Sequence, residues 1–91
     1  PAVERDLALV CDEGMPVADI QQIILRAGGR HLESVELFDV YQGAQIEKGK
    51  KSVAFSLRFR DADGTLADED IEPALHKIFT NLQEKGCILR S

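Results

Sequence analysis

The sequence has no tryptophan, one tyrosine, one methionine, two cysteines and three prolines in 91 residues. Two cysteines cannot build a disulfide scaffold. Cys11 and Cys87 also lack a zinc-ligand spacing, and His31 and His76 are isolated from both in the sequence. No apolar run approaches the ~20 residues of a membrane span, and the first residues do not resemble a signal peptide. A soluble, cytoplasmic protein with no membrane partner is expected, its two thiols buried and reduced. No grouping of nucleophile, base and acid is visible, so these residues are not expected to be catalytic. The net charge of −5 argues against indiscriminate nucleic-acid binding, which is mostly phosphate neutralisation by Lys and Arg.

What remains suffices for one core. With 44% hydrophobic and 30% charged residues the chain is in the ordinary globular range, and residues 1–91 read as a single domain. Because it opens on Pro1, it is read as an excerpt of something longer. Its charges are segregated in sequence. Residues 41–60 carry Lys48, Lys50, Lys51, Arg58 and Arg60 against Glu47 alone, whereas residues 61–72 carry six acids and no base. A basic face or end and an acidic one are expected.

Residues 5–12 alternate as a strand, with Leu7, Leu9 and Cys11 on one face and Asp6, Ala8 and Val10 on the other. Pro16 suits the first turn of a helix that buries Val17, Ile20, Ile23, Ile24 and Ala27 and stops at Gly28-Gly29. Residues 32–42 are strand-like, but Val35 and Leu37 share their parity with Asp39 and Tyr41. Either the early half is covered on both sides or a bulge interrupts the strand. Residues 52–60 turn Val53, Phe55, Leu57 and Phe59 to the core and Ser52, Ala54, Ser56, Arg58 and Arg60 away from it. A second helix starts near Asp68, where its acids favour a helix N-terminus, and buries Ile71, Leu75, Ile78, Phe79 and Leu82. Gly86 ends it, and residues 87–90 form a last strand.

The order βαββαβ, with right-handed crossovers, predicts an α+β ferredoxin-like fold: a four-stranded antiparallel sheet in the order 4-1-3-2 with both helices on one face. The other face, carrying Ala8, Val10, Asp39, Tyr41, Ser52, Ala54, Ser56 and Arg58, is open. A surface of small residues with one aromatic, hydroxyls and a basic rim suits single-stranded RNA, whose bases stack on rings while its phosphates meet Lys and Arg. Tyr41 would be the platform, Asp39 would accept from base amino or imino groups, Ser52 would donate or accept, and Lys48, Lys50 and Lys51 would hold the backbone. The plain alternative is cross-strand packing by Tyr41 and solubility from the lysines. Open ferredoxin-like sheets also serve small-molecule sensing, dimerisation and purely structural roles.

The segments RDLALVCDE, LFDVYQG, GKKSVAFSLRFR and TLADED resemble the ferredoxin-fold anticodon-binding domain that ends the beta chain of bacterial phenylalanine–tRNA ligase, over residues 1–90. The resemblance implies contact with the anticodon stem and loop of tRNA(Phe), with Tyr41 stacking on an anticodon base and Asp39 and Ser52 near base edges. Lys50, Lys51, Arg5 and Arg58 are further RNA-binding candidates. It also implies a parent ligase that charges tRNA with phenylalanine, the alpha chain and the rest of the beta chain being partners in a heterotetramer. ATP and magnesium would bind on other parts of that assembly, with no cofactor in this domain. The family usually has arginine before the Thr-Leu pair, where this chain has Gly64, which leaves Arg60 as a substitute for any phosphate contact. A superficial P-loop at residues 43–51 fails: five residues instead of four separate its glycines, Lys51 stands for the Ser or Thr, and a strand follows instead of a helix.

Overall fold

The computed structural model describes residues 1–90. Its elements run β1 (Val3–Asp12), α1 (Val17–Ala27), β2 (Leu32–Tyr41), β3 (Lys50–Phe59), α2 (Asp68–Glu84) and β4 (Ile88–Leu89). The strands form one sheet in the order β2-β3-β1-β4, every neighbouring pair antiparallel, which is the expected ferredoxin-like arrangement. Strands β1 and β3 start two residues before the expected positions, and β4 is confined to Ile88 and Leu89.

The core lies between the sheet and the helices. Leu9, Val53, Phe55, Leu57 and Phe59 from the sheet meet Ile20 and Ile24 from α1 and Ile71, Ile78 and Leu82 from α2, all fully buried. Complete burial of each such side chain contributes roughly 1.5–3 kcal/mol. Leu75 and Phe79, expected in this set, are only partly buried, and Leu66 in the preceding loop joins the core instead. α1 follows Pro16, whose φ of −65° suits a helix entry, and Gly29 then turns the chain at φ +77°. α2 is fixed at its start by Asp70, whose carboxylate accepts the Ala67 N–H at 2.7 Å.

β2 explains its own odd pattern. Val35 lies opposite Leu57 and Leu37 opposite Phe55, on the helix side of the sheet. The register then shifts between Leu37 and Asp39, so Asp39 faces Ala54 and Tyr41 faces Ser52. The extra residue, Phe38, inverts the parity of everything after it. One strand thereby supplies core apolar groups first and open-face polar groups afterwards. β2 is also an edge strand that outruns its helix cover, leaving Leu37, Phe38 and Val40 exposed.

A candidate nucleic-acid interface on the open sheet face

Pairing aligns the open face into rows across three strands. Tyr41, Ser52 and Val10 form one row, Asp39, Ala54 and Ala8 the next, then Glu36, Ser56 and Asp6, then Ser34, Arg58 and Glu4. The rows are separated by two residues of strand, about 7 Å. Small residues occupy the centre, so nothing rises between Tyr41 and the middle of the sheet.

A residue that strand alternation did not single out, Arg90, stands at the end of the Asp39 row and reaches across to the row of Tyr41. The Arg90 N–H bonds the Ala8 carbonyl at 2.7 Å, extending β4 along β1, and this turns the Arg90 side chain over the open face. Its guanidinium donates to Ser52 Oγ at 3.3 Å and to Gln45 Oε1 at 3.4 Å, and stands 5.9 Å from the centre of the Tyr41 ring. That distance is within cation–π range. Ser52, 4% exposed, is the one buried polar residue among those described, and Arg90 is its side-chain partner. The signal for Arg90 was its parity with Ala8 in the ladder, which needs the β1–β4 register and so could not be read before the fold.

Tyr41 is positioned from the other side by Gly43. A Cβ at Gly43 would run into the Tyr41 hydroxyl, so only glycine leaves the ring its place against the turn. The loop beyond is closed by Glu13 N–H to the Gly49 carbonyl at 3.0 Å and by Gln42 Nε2, which donates to Glu13 Oε2 at 2.8 Å. Gly49, at φ +86°, makes the turn into β3. A shallow cavity of about 440 Å³ lies along this loop, lined by Gln42, Gly43, Lys48 and Lys50 among others.

The structure separates the expected basic residues. Lys50 is at the Tyr41 end, with its ammonium 2.8 Å from Asp12 Oδ1. The hydrogen bond from Lys50 holds the Asp12 carboxyl below the usual carboxylate range, and the same contact raises Lys50. Lys51 points to the helix side instead, where it donates to the Met15 carbonyl. Arg5 also lies on the helix side, paired with Asp68 at the start of α2. Arg58 is on the open face at its far end, 3.2 Å from Glu4 Oε2. Arg60 pairs with Glu33 at 2.7 Å. The expected basic end is therefore corrected: Lys50 and Arg58 sit at opposite ends of β3, about 27 Å apart, each beside an acid. Lys48 has no side-chain partner among the described residues. Gly64 stands in a turn paired with Asp61, with open space beyond its Cα.

Asp39, Tyr41 and Ser52 are thus brought together, with Arg90 added and Lys50 nearby, while Arg5, Lys51 and Arg58 lie elsewhere. Together these offer a ring, a planar cation and a carboxylate on one flat surface, whereas Ser52, expected to read a base edge, is buried and anchors the Arg90 guanidinium instead. Among the described residues no three metal-ligating side chains converge, and no helix is long and apolar enough to cross a membrane. A groove of about 190 Å³ on the open face is lined by Glu4, Ser34, Glu36, Ser56 and Arg58.

Comparison with known proteins matches residues 1–90 to the family described as the ferredoxin-fold anticodon binding domain. The chain is 49% identical over 91 residues to the phenylalanine–tRNA ligase beta subunit of Clostridium tetani, covering 99% of this chain and 12% of that protein. It is 46% identical over 92 residues to the beta subunit of Shouchella clausii, covering 100% and 11%. For Clostridium acetobutylicum the figures are 45% over 83 residues, covering 91% and 10%. The chain spans about a tenth of the length of these relatives.

Proposed function

The chain belongs to the ferredoxin-fold anticodon binding domain family, and we propose that it binds the anticodon stem and loop of tRNA(Phe) as part of a phenylalanine–tRNA ligase beta subunit. The observation that carries this reading is the placement of the Tyr41 ring beside the Arg90 guanidinium, itself anchored by the buried Ser52 hydroxyl, on one open, shallow surface. An unpaired loop base stacks on the Tyr41 ring, gaining about 1–3 kcal/mol. Arg90 either lies against the base as a second planar group or turns to a phosphate. Asp39, a pure acceptor when ionised, takes a hydrogen bond from an amino or imino edge. Lys50 supplies backbone charge at the same end. The names of the relatives support the assignment to the ligase, whose remaining beta-chain domains and alpha chain would be the partners. ATP, magnesium and phenylalanine are the concern of those other parts.

Titration of an anticodon stem-loop into wild-type and Tyr41→Ala protein tests the reading. The expected outcome is a loss of about 1–3 kcal/mol in binding, roughly 5- to 150-fold, with the unfolding midpoint nearly unchanged because the ring lies outside the core. Equal affinities would remove Tyr41 from the interface.

A further inference from the structure

Cys11 and Cys87 are both free and both about 1% exposed. β4 pairs Leu89 with Leu9 and Ile88 with Val10, and continuing that ladder one residue beyond the strand sets Cys87 opposite Cys11. The hydrogen bonding fixes the type of pair. Arg90 N–H bonds the Ala8 carbonyl, so in the alternation of an antiparallel ladder Leu9–Leu89 and Cys11–Cys87 are the non-bonded pairs. Consistent with this, the Cys87 N–H is given to the Leu82 carbonyl. Non-bonded partners have Cα atoms about 4.5 Å apart, at the short limit of the about 4.4–6.8 Å that a disulfide spans. The two thiols are close enough to influence each other's ionisation, and Cys87 Sγ donates to Met15 Sδ at 3.3 Å. Cys87 lines a cleft of about 260 Å³ with Leu9, Phe79, Gln83 and Leu89.

We propose that Cys11 and Cys87 form a reversible cross-strand disulfide, and that closing it moves β4 and with it the Arg90 side chain on the opposite face. A bridge near the short end of the allowed separation leaves little slack, so closing it calls for a small adjustment of one strand. That adjustment falls on the weaker partner. β1 is a ten-residue strand held on both sides, whereas β4 is a two-residue edge strand. Arg90 follows Cys87 by three residues and is the side-chain partner of Ser52, so a shift of β4 is transmitted to the row of Tyr41.

With a small aliphatic disulfide as oxidant, the Cys87 thiolate attacks one reagent sulfur from the cleft. The reagent S–S bond breaks and one reagent thiol leaves with the proton that Cys87 lost. The Cys11 thiolate then attacks Cys87 Sγ and expels the second reagent thiol. Two protein thiols are oxidised to one disulfide, and one reagent disulfide is reduced to two thiols. Burial pushes the Cys87 thiol up to about 11 and raises that of Cys11 as well, the Lys51 ammonium offsetting part of the latter. The rate should therefore climb about tenfold per pH unit between 7 and 9, as the thiolate fraction does.

The experiment treats the native chain with hydroxyethyl disulfide at pH 8 and follows intact mass and backbone amide shifts. The expected product has lost two hydrogens, carries no adduct, returns to the starting mass with dithiothreitol, and shows shifted amides at Ser52 and Tyr41. Cys11→Ala should stop at a single mercaptoethanol adduct on Cys87, and an unreacted Cys87 in that variant would contradict access through the cleft. Wild-type protein that keeps two alkylatable thiols, or that stops at a stable adduct, overturns the disulfide. A disulfide that leaves the Ser52 and Tyr41 amides unmoved overturns its coupling to Arg90.

Discussion

The two ends of the open sheet face share the same strands and the same small residues between them, yet they carry different chemistry. At the Tyr41 end, Arg90, Ser52 and Lys50 surround one aromatic ring. At the other end Glu4, Asp6 and Glu36 flank Ser56, and Arg58 is held by Glu4. Lys50 is likewise held by Asp12, but Arg90 has no carboxylate partner among the described residues, so phosphate is favoured at the Tyr41 end over the other. The contrast explains how a chain of net charge −5 can still meet RNA. It needs only one favourable end, and its acidic end limits where the strand can run.

The largest expected effect is one that erases the contrast. Phe55 is fully buried behind the middle of the sheet, directly after Ala54 of the open face. Phe55→Ala should cost about 3–5 kcal/mol of stability, a large share of the roughly 5–15 kcal/mol of a small domain, read as a lowered midpoint in urea unfolding. Binding at either end would then fall only as the folded fraction falls.

A smaller change should separate the two ends. Arg90→Ala removes the charged hydrogen bonds to Ser52 and Gln45 and the cation beside Tyr41. Stem-loop affinity should drop by about 1.5–3 kcal/mol and the salt slope of binding by about one. Arg58→Ala, at the far end, should leave both nearly unchanged. Equal losses from the two variants would mean that the ends act alike.

The smallest effect concerns the sulfur pair behind the Tyr41 end. In the folded chain burial raises Cys87 from 9.0 to about 11, so between these values the folded state holds a proton that the unfolded state has released. This contribution is fully present below pH 9 and is lost as pH rises towards 11. Thermal melts at pH 8 and pH 10.5 should show a drop in the wild type that is reduced in Cys87→Ala.

Much of this was legible in the sequence, and the exceptions have physical causes. β3 alternates without interruption, so its two faces were readable residue by residue. β2 was ambiguous because Phe38 adds one residue, and only the pairing shows where parity inverts. Asp39, Tyr41 and Ser52 were placed together because all three lie near one hairpin. Arg90 was missed because its neighbours Ser52 and Tyr41 are 38 or more residues away in the chain and meet it only through the β1–β4 register. Arg5 joins the RNA-facing residues by resemblance and Lys51 by its place in a basic loop, although their parity with Leu7 and Val53 directs both to the helix side. The basic run 48–60 read as a patch because linear charge density ignores that a strand carries its two ends about 27 Å apart.

The most direct test of where RNA binds is a map of backbone amide shifts as an anticodon stem-loop is added. Binding at the Tyr41 end predicts shifts at Val10, Tyr41, Ser52 and Arg90, fading before Glu36, Ser56 and Glu4. Shifts centred on the far end of the sheet, or confined to α1 and α2, would contradict it.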